Sequence, residues 1–272
     1  MRIFPFLSLA RRIGQISEPA SETASQPMSV EAWLVQNDIL LRKKQEPNPA
    51  DAALNEIAQY WGDNKYHLIK MRKQLNWAAL HKESAEVFLN KATEKEISCS
   101  RTLAQKLYDC AYASHVHYDP TTKTLSLQLT DVTDVVRYMT GGWFERYAKL
   151  QIEQVATRLG LSHDILMNAE IVLPNHQAYE IDVLFMANDK PFWIECKTGD
   201  FRSELQRICT KKRHMGIPGA QAILAVFDIQ DSDAAAIMAT HGMCTVGSHL
   251  LIEFLSKVLG TFDRPSNLLA AS

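Results

Sequence analysis

Along the chain, the spacing of apolar positions changes character twice. Over residues 30–45 apolar side chains recur at helical intervals, until Pro47 and Pro49 end the stretch. The same period predicts helices over 50–61, 67–80, 83–92 and 100–113. Then the period drops to two. Residues 116–118 read as extended, Asp119-Pro120-Thr121-Thr122-Lys123 as a turn, and Leu125, Leu127 and Leu129 fall on one face of a second strand over 124–129. Helices closed by a hairpin are the order of a winged helix. After Gly141-Gly142 the pattern changes again. A strongly amphipathic helix over 143–159 ends at Gly160, and strands follow at 170–173, 178–186 and 191–198, the last two joined through Asn188-Asp189-Lys190. A helix over 201–215 stops at Gly216-Ile217-Pro218-Gly219, and 221–227 is an apolar strand of the buried, parallel type. Helix 232–241, strand 243–246 and helix 248–259 complete the pattern. The expected class is α/β: a three-layer sandwich with an αβββαβ core over 139–262, preceded by a mostly helical, winged-helix-like domain over 30–138, with tails at 1–29 and 263–272.

Composition narrows this little. A chain of 272 residues that is 46% apolar and 22% charged has ample material for a core. The formal net charge of -2 excludes a polyanion binder that works by bulk charge, so any nucleic-acid surface is a local patch. No apolar run approaches the roughly 20 residues that cross a bilayer, so no membrane span is expected. Five cysteines, an odd number at wide spacing without C-x-x-C, argue against a disulfide framework or structural zinc and for a reducing, cytoplasmic location. Residues 1–17 hold Arg2, Arg11 and Arg12 and no acid, a pattern shared by targeting peptides and plain tails, and 17–29 has linker composition.

The chemistry is concentrated in two strands. Side chains two apart on a strand share a face. Glu180 and Asp182 therefore point together, with Ile181 and Val183 into the opposite layer, and on the next strand Glu195 and Lys197 point together. The hairpin brings both charged pairs to one side. The rest of these strands is nearly all apolar, so the charges mark a built site rather than a wet face. Clustered carboxylates repel and need a cation to stay ionised. All-oxygen donors suit Mg²⁺ or Mn²⁺. Lys197 beside them can orient an attacking water or balance developing charge on a phosphate.

Asp182, then Glu195-Cys196-Lys197 across a hairpin, resembles the signature of the PD-(D/E)XK nuclease superfamily, whose core is a restriction-endonuclease-like sandwich. Three blocks sharpen the likeness: Gly141-Gly142-Trp143-Phe144-Glu145, Glu180-Ile181-Asp182-Val183-Leu184 and Ile194-Glu195-Cys196-Lys197-Thr198. Together they are similar to the endonuclease domain of CRISPR-associated effectors activated by cyclic oligoadenylate. The resemblance covers residues 140–219. It implies a catalytic set of Glu145, Asp182, Glu195 and Lys197, with Glu153 second choice to Glu145 and Glu180 a neighbour of unassigned role. It implies a metal held by Asp182, Glu195, the Cys196 backbone carbonyl and Glu145, cleavage of DNA or RNA (single strands favoured), and a homodimer. Before Thr140 no strands alternate with helices, so a cyclic-nucleotide sensor domain is not expected. A structure-specific repair nuclease or junction resolvase shares the same pieces, and a silent nucleic-acid-binding scaffold shares the fold.

The helix after Lys197 is locally basic, and Gln206, Arg207 and Lys211 are candidates for holding backbone phosphates. The stretch 67–82 carries Lys70, Arg72, Lys73 and Lys82 without an acid, and reads best as a solvated helix face. His115 and His117 share a strand face without a third ligand nearby.

Overall fold

The computed structural model of the protein describes residues 27–261. The expectations for the cationic N-terminal segment and for the tail at 263–272 lie outside these residues. Two sheets organise the molecule. The larger has six strands in the order β1-β5-β6-β7-β8-β9: β1 (Leu40–Lys43), β5 (His163–Val172), β6 (Ala178–Ala187), β7 (Lys190–Lys197), β8 (Ala222–Val226) and β9 (Cys244–Gly247). The first four pair antiparallel, and β7, β8 and β9 run parallel. The smaller sheet is antiparallel, in the order β2-β4-β3, from β2 (Ala85–Phe88), β3 (Ala113–Asp119) and β4 (Thr124–Leu129).

Helices cover both faces of the larger sheet. On one side α6 (Trp143–Arg158) and α9 (Leu251–Gly260) pack against Val183, Phe185, Phe192, Ile194, Ile223 and Ala225. On the other, α1 (Val30–Gln36), α7 (Leu205–Met215) and α8 (Asp231–His241) pack against Leu184, Met186, Trp193 and Leu224. Around the smaller sheet lie α2 (Asp51–Asp63), α3 (Ile69–His81) and α4 (Glu94–Asp109). Before Thr140, the strand pairings of the described residues are all antiparallel.

Two predicted helices are corrected. The helix expected over 30–45 ends at Gln36, because Asn37 caps it and Asp38 turns left-handed (φ 55°); the chain then continues as β1, an edge strand against β5. The helix expected over 83–92 is the strand β2, whose Ala85 and Val87 are buried and whose neighbours face out. Two alternations are too few to outvote a helical period in the sequence. Helix α4 starts at Glu94 rather than Ser100, where Thr93 and Glu96 form a capping box that satisfies free backbone N–H groups.

The predicted division at 138/139 falls between α5 (Thr133–Arg137) and α6, in the segment Tyr138–Gly142, where the chain kinks at Gly141 (φ 172°, ψ -29°). One core continues across it, from Leu54 to Leu259. The Trp61 and Trp143 rings stack at 4.6 Å, the Tyr138 hydroxyl donates to the Leu54 carbonyl at 2.9 Å, and Arg146 bridges to Asp51 and Asn55, both at 2.8 Å. Gly62 lets α2 approach α6 this closely: a Cβ there would stand 2.1 Å from the Tyr147 ring. Alanine at an interior helical position ordinarily stabilises relative to glycine by up to about 1 kcal/mol. Here Gly62→Ala is expected to destabilise by about 1–3 kcal/mol, because a buried ring must move. A lowered urea midpoint checks this; an unchanged one shows that the two helices part without cost.

Candidate active site

The site forms where β6 and β7 separate. Their ladder runs from Ala187–Lys190 to Val183–Ile194 and stops. One further step would set Asp182 directly opposite Glu195, and like charges facing across a ladder repel. Instead the Asp182 side chain takes the ladder's place: its Oδ2 accepts from the Cys196 backbone N–H at 2.7 Å. On the other edge of β6, strict alternation also fails. Ile181 packs with Leu184 and Met186, whereas Val183 packs with Phe185, so these two do not share a layer as the period-two reading expects. The same slip occurs on β5, where Met167 and Ala169 belong to different cores. Between them Asn168 has a left-handed backbone (φ 49°), a conformation asparagine tolerates, and the paired register passes from Met167–Val183 to Ala169–Ile181.

Three acids lie around this opening and act on one another electrostatically. Glu195 is buried on β7, with Oε1 3.1 Å from the Lys197 ammonium and Oε2 2.6 Å from that of Lys211. Glu145 enters from the first turn of α6, and its buried Oε2 has no hydrogen-bond partner. Burial pushes the Glu145 carboxyl up to about 7, with Arg137 opposing the rise and Glu180 and Glu195 adding to it. Asp182 is raised well above the usual carboxylate range by burial, by Glu195 and by Glu145, against the opposing effects of Lys211 and the Cys196 N–H. Burial alone would lower Lys197, but Glu195 and Asp182 outweigh it and hold the ammonium above its ordinary value. The four residues of the predicted catalytic set therefore share one electrostatic site.

The remaining candidates divide. Glu180 is exposed and ion-paired to Arg137 at the rim. Glu153 pairs with Lys149 on α6, at 2.6 Å. Gln206 is exposed, and Arg207 lies on the surface bound to Glu204 at 2.7 Å. Lys211 is a correction. It is not a surface cation for phosphates but a buried one, 2% exposed, fixed by Glu195, by the Glu180 carbonyl at 2.7 Å and over the Trp193 ring at 4.9 Å. The signal was present: Ile208, Lys211 and Met215 recur at core spacing on α7, so this lysine sits in an apolar stripe. His115 and His117 lie on β3 of the smaller sheet, outside this site. All five cysteines are free thiols, and Cys196 is raised far above the usual range by burial.

Oxygen donors of this kind fit a hard divalent cation in chemistry, and the unpartnered Glu145 Oε2 is an atom such an ion would satisfy. In position they are not a cage: among the described residues no three carboxylate, imidazole or thiol groups are gathered closely enough to hold an ion. Both oxygens of Glu195 are instead engaged by ammonium groups.

Removing Lys211 strands a buried carboxylate. Lys211→Met is expected to destabilise by about 3–5 kcal/mol, and Glu195→Leu added to it to recover part of the loss; urea unfolding of the pair checks this. Glu145 gives a pH dependence. Its proton is held in the folded state to about 7 but lost near the ordinary carboxylate value when unfolded, so folding loses stability as pH rises across that window. Glu145→Gln in chelator should remove the Glu145 share of this fall and leave that of Asp182, with the variant gaining on the parent by about 3 kcal/mol between pH 4.5 and 8. Parallel stability–pH curves would place the Glu145 carboxyl in water.

No protein-family model matches the chain, and no curated protein matches it. Solved structures do. A Vibrio cholerae protein, VC1899, aligns with a TM-score of 0.60 at 19% identity over 87% of this chain and 62% of its own. Can2 from Sulfobacillus thermosulfidooxidans, solved in complex with cyclic tetra-adenylate, aligns with a TM-score of 0.59 at 19% identity over 88% of this chain and 64% of its own. The chain thus spans less than two thirds of either neighbour's length. Residues after 138 alone could not supply such coverage, so the likeness takes in both sheets. At this identity it shows the fold: the chain is a mixed α/β protein with a fold similar to that of a cyclic-tetra-adenylate-bound protein.

Proposed function

We propose that the protein is a metal-dependent endonuclease that hydrolyses nucleic-acid phosphodiester bonds, single strands by preference, in CRISPR-linked defence. The observation that carries this reading is the meeting of Glu145, Asp182, Glu195 and Lys197 at the splayed end of β6 and β7. The fold shared with Can2 supports it. In this reading the six-stranded sheet with its helices is the restriction-endonuclease-like sandwich, and the three-stranded sheet with α2, α3 and α4 is the winged-helix-like unit.

Mg²⁺ or Mn²⁺, held by Asp182, Glu195, the Cys196 carbonyl and Glu145, would supply Lewis acidity toward the scissile phosphate and an acidified water. The chain's own groups do the rest. The Lys197 ammonium, held protonated by its acidic neighbours, donates to the attacking water and fixes its direction. Lys211 holds the Glu195 side chain in place through its 2.6 Å contact. The buried walls around Cys196 and Trp193 exclude bulk water and strengthen each of these interactions.

The double ammonium grip on Glu195 favours a second reading, a nucleic-acid-binding protein that does not cut. A titration of Mg²⁺ and Mn²⁺ against labelled single- and double-stranded DNA and RNA separates the two. Metal-dependent cleavage is expected, abolished by Asp182→Ala and Glu195→Ala and slowed about 100-fold or more by Lys197→Ala. Binding to any of these substrates without cleavage in either metal would establish the second reading. Variants that cut like the parent would remove these residues from the mechanism. A four-way junction in the same series tests a resolvase.

A further inference from the structure

Around the site, cations come with partners. Lys197 pairs with Glu195 and Glu204, Lys211 with Glu195, Arg207 with Glu204, Arg137 with Glu180, and Arg202 with Asp200 and Asp233. Arg72 is different. It belongs to α3, in the first half of the chain, and reaches over to the end of β7. There its Nη1 donates to the Thr198 carbonyl at 3.0 Å, one residue beyond Lys197. The Thr198 hydroxyl in turn donates to the Thr140 carbonyl at 2.9 Å, at the entry to the helix that carries Glu145. Arg72 is thereby tied to the residue that follows Lys197 and, through it, to the entry of the Glu145 helix. Among the described residues it forms no ion pair; Asp228 acts on it only from a distance.

Its donors are mostly unspent. A guanidinium has five N–H groups, and one is used. Nε is buried and has no partner. The group is nonetheless held rigidly, with Cζ 4.8 Å from the centre of the Phe227 ring. Phe227 is itself wedged edge-on against Trp143 and Phe144. A flat, fixed, half-buried fork with free N–H groups and no carboxylate is suited to a phosphate oxygen pair. Its neighbours on α3 reinforce the field, since residues 69–81 hold Lys70 and Lys73 and no acid.

We propose that Arg72 binds a phosphate of the nucleic-acid strand, so that the first half of the chain contributes a substrate contact as well as support. The inference rests on a nucleic acid being the ligand of this site, and it assigns the backbone, not the bases, as what Arg72 recognises. The segment that its composition marks as a solvated helix face thus has one cation turned inward with a task.

Binding is measured by fluorescence anisotropy on labelled single-stranded DNA and RNA 20-mers in EDTA, where nothing is cut, over a series of salt concentrations. The proteins are the parent, Arg72→Gln and Arg72→Lys, each with its thermal midpoint. Arg72→Gln is expected to weaken binding about tenfold, the loss of one charge-assisted hydrogen bond. It should also lower the salt slope by about 0.7, the share of one single-strand phosphate. Arg72→Lys should keep the slope. An unchanged slope and affinity in Arg72→Gln overturns the proposal; if both variants also melt earlier, Arg72 is a strut to Thr198. A parent that cuts while Arg72→Gln binds like it sinks this inference and leaves the nuclease reading intact. A parent that binds none of the strands and cuts none sinks both.

Discussion

The structure depends on keeping several carboxyl groups that act on one another electrostatically away from water. Glu145, Asp182 and Glu195 each raise the energy of ionising another, and burial adds to the cost. The fold answers with fixed partners. Two ammonium groups grip Glu195 from two elements, β7 and α7. One backbone N–H holds Asp182. Glu145 has a free oxygen and a carboxyl that holds its proton to about 7. Much of the surrounding geometry serves this arrangement. The β6–β7 ladder breaks where it would press two carboxylates together. Helix α7 returns across the sheet with a lysine in its apolar stripe. The kink at Gly141 starts α6 with Glu145 in its first turn.

Most of this was legible in the sequence because it is local. The hairpin with its polar strand ends, the apolar parallel strand β8 and the amphipathic α6 announce themselves within a dozen residues each. Asp182, Glu195 and Lys197 follow from two strand periods, whereas Glu145 is reached only through the resemblance to the nuclease superfamily. What escaped depends on contacts distant in the chain. Residues 40–43 become a strand only because β5 offers an open edge. Residues 85–88 become one because β4 lies beside them. The slip at Asp182 coincides with a left-handed Asn168 on the neighbouring strand, which no reading of β6 alone contains. Charge itself usually implies exposure, so the sequence alone points Lys211 to the surface. Its partners, Glu195 and the Glu180 carbonyl, are 16 and 31 residues away.

The two halves of the chain make contacts across the boundary at which the hydrophobic period changes. Strand β1 completes the larger sheet from the first half. The Trp61–Trp143 stack, the buried Arg146 with Asp51 and Asn55, and the Gly62 contact with Tyr147 join α2 to α6. Since Glu145 lies between Trp143 and Arg146 on that helix, its position is fixed from both sides of the boundary. A disturbance in α2 therefore reaches the acidic opening through one turn of α6.

That coupling explains why a carboxyl as unfavourably placed as Glu145 stays where it is. A side chain on a loop would swing its oxygens to water, because the gain in solvation exceeds the cost of moving a loop. On α6 the first turn is locked by Trp143 on Trp61 and by Phe144 against Tyr147 and Phe227. Releasing the carboxylate would break apart a core shared by both halves, a far larger cost than holding a proton. The acid is thus mechanically fixed and electrostatically unsatisfied at once. Such a state persists only where surrounding packing over-determines it, and in the reading proposed here it is the condition in which a site is ready for a cation.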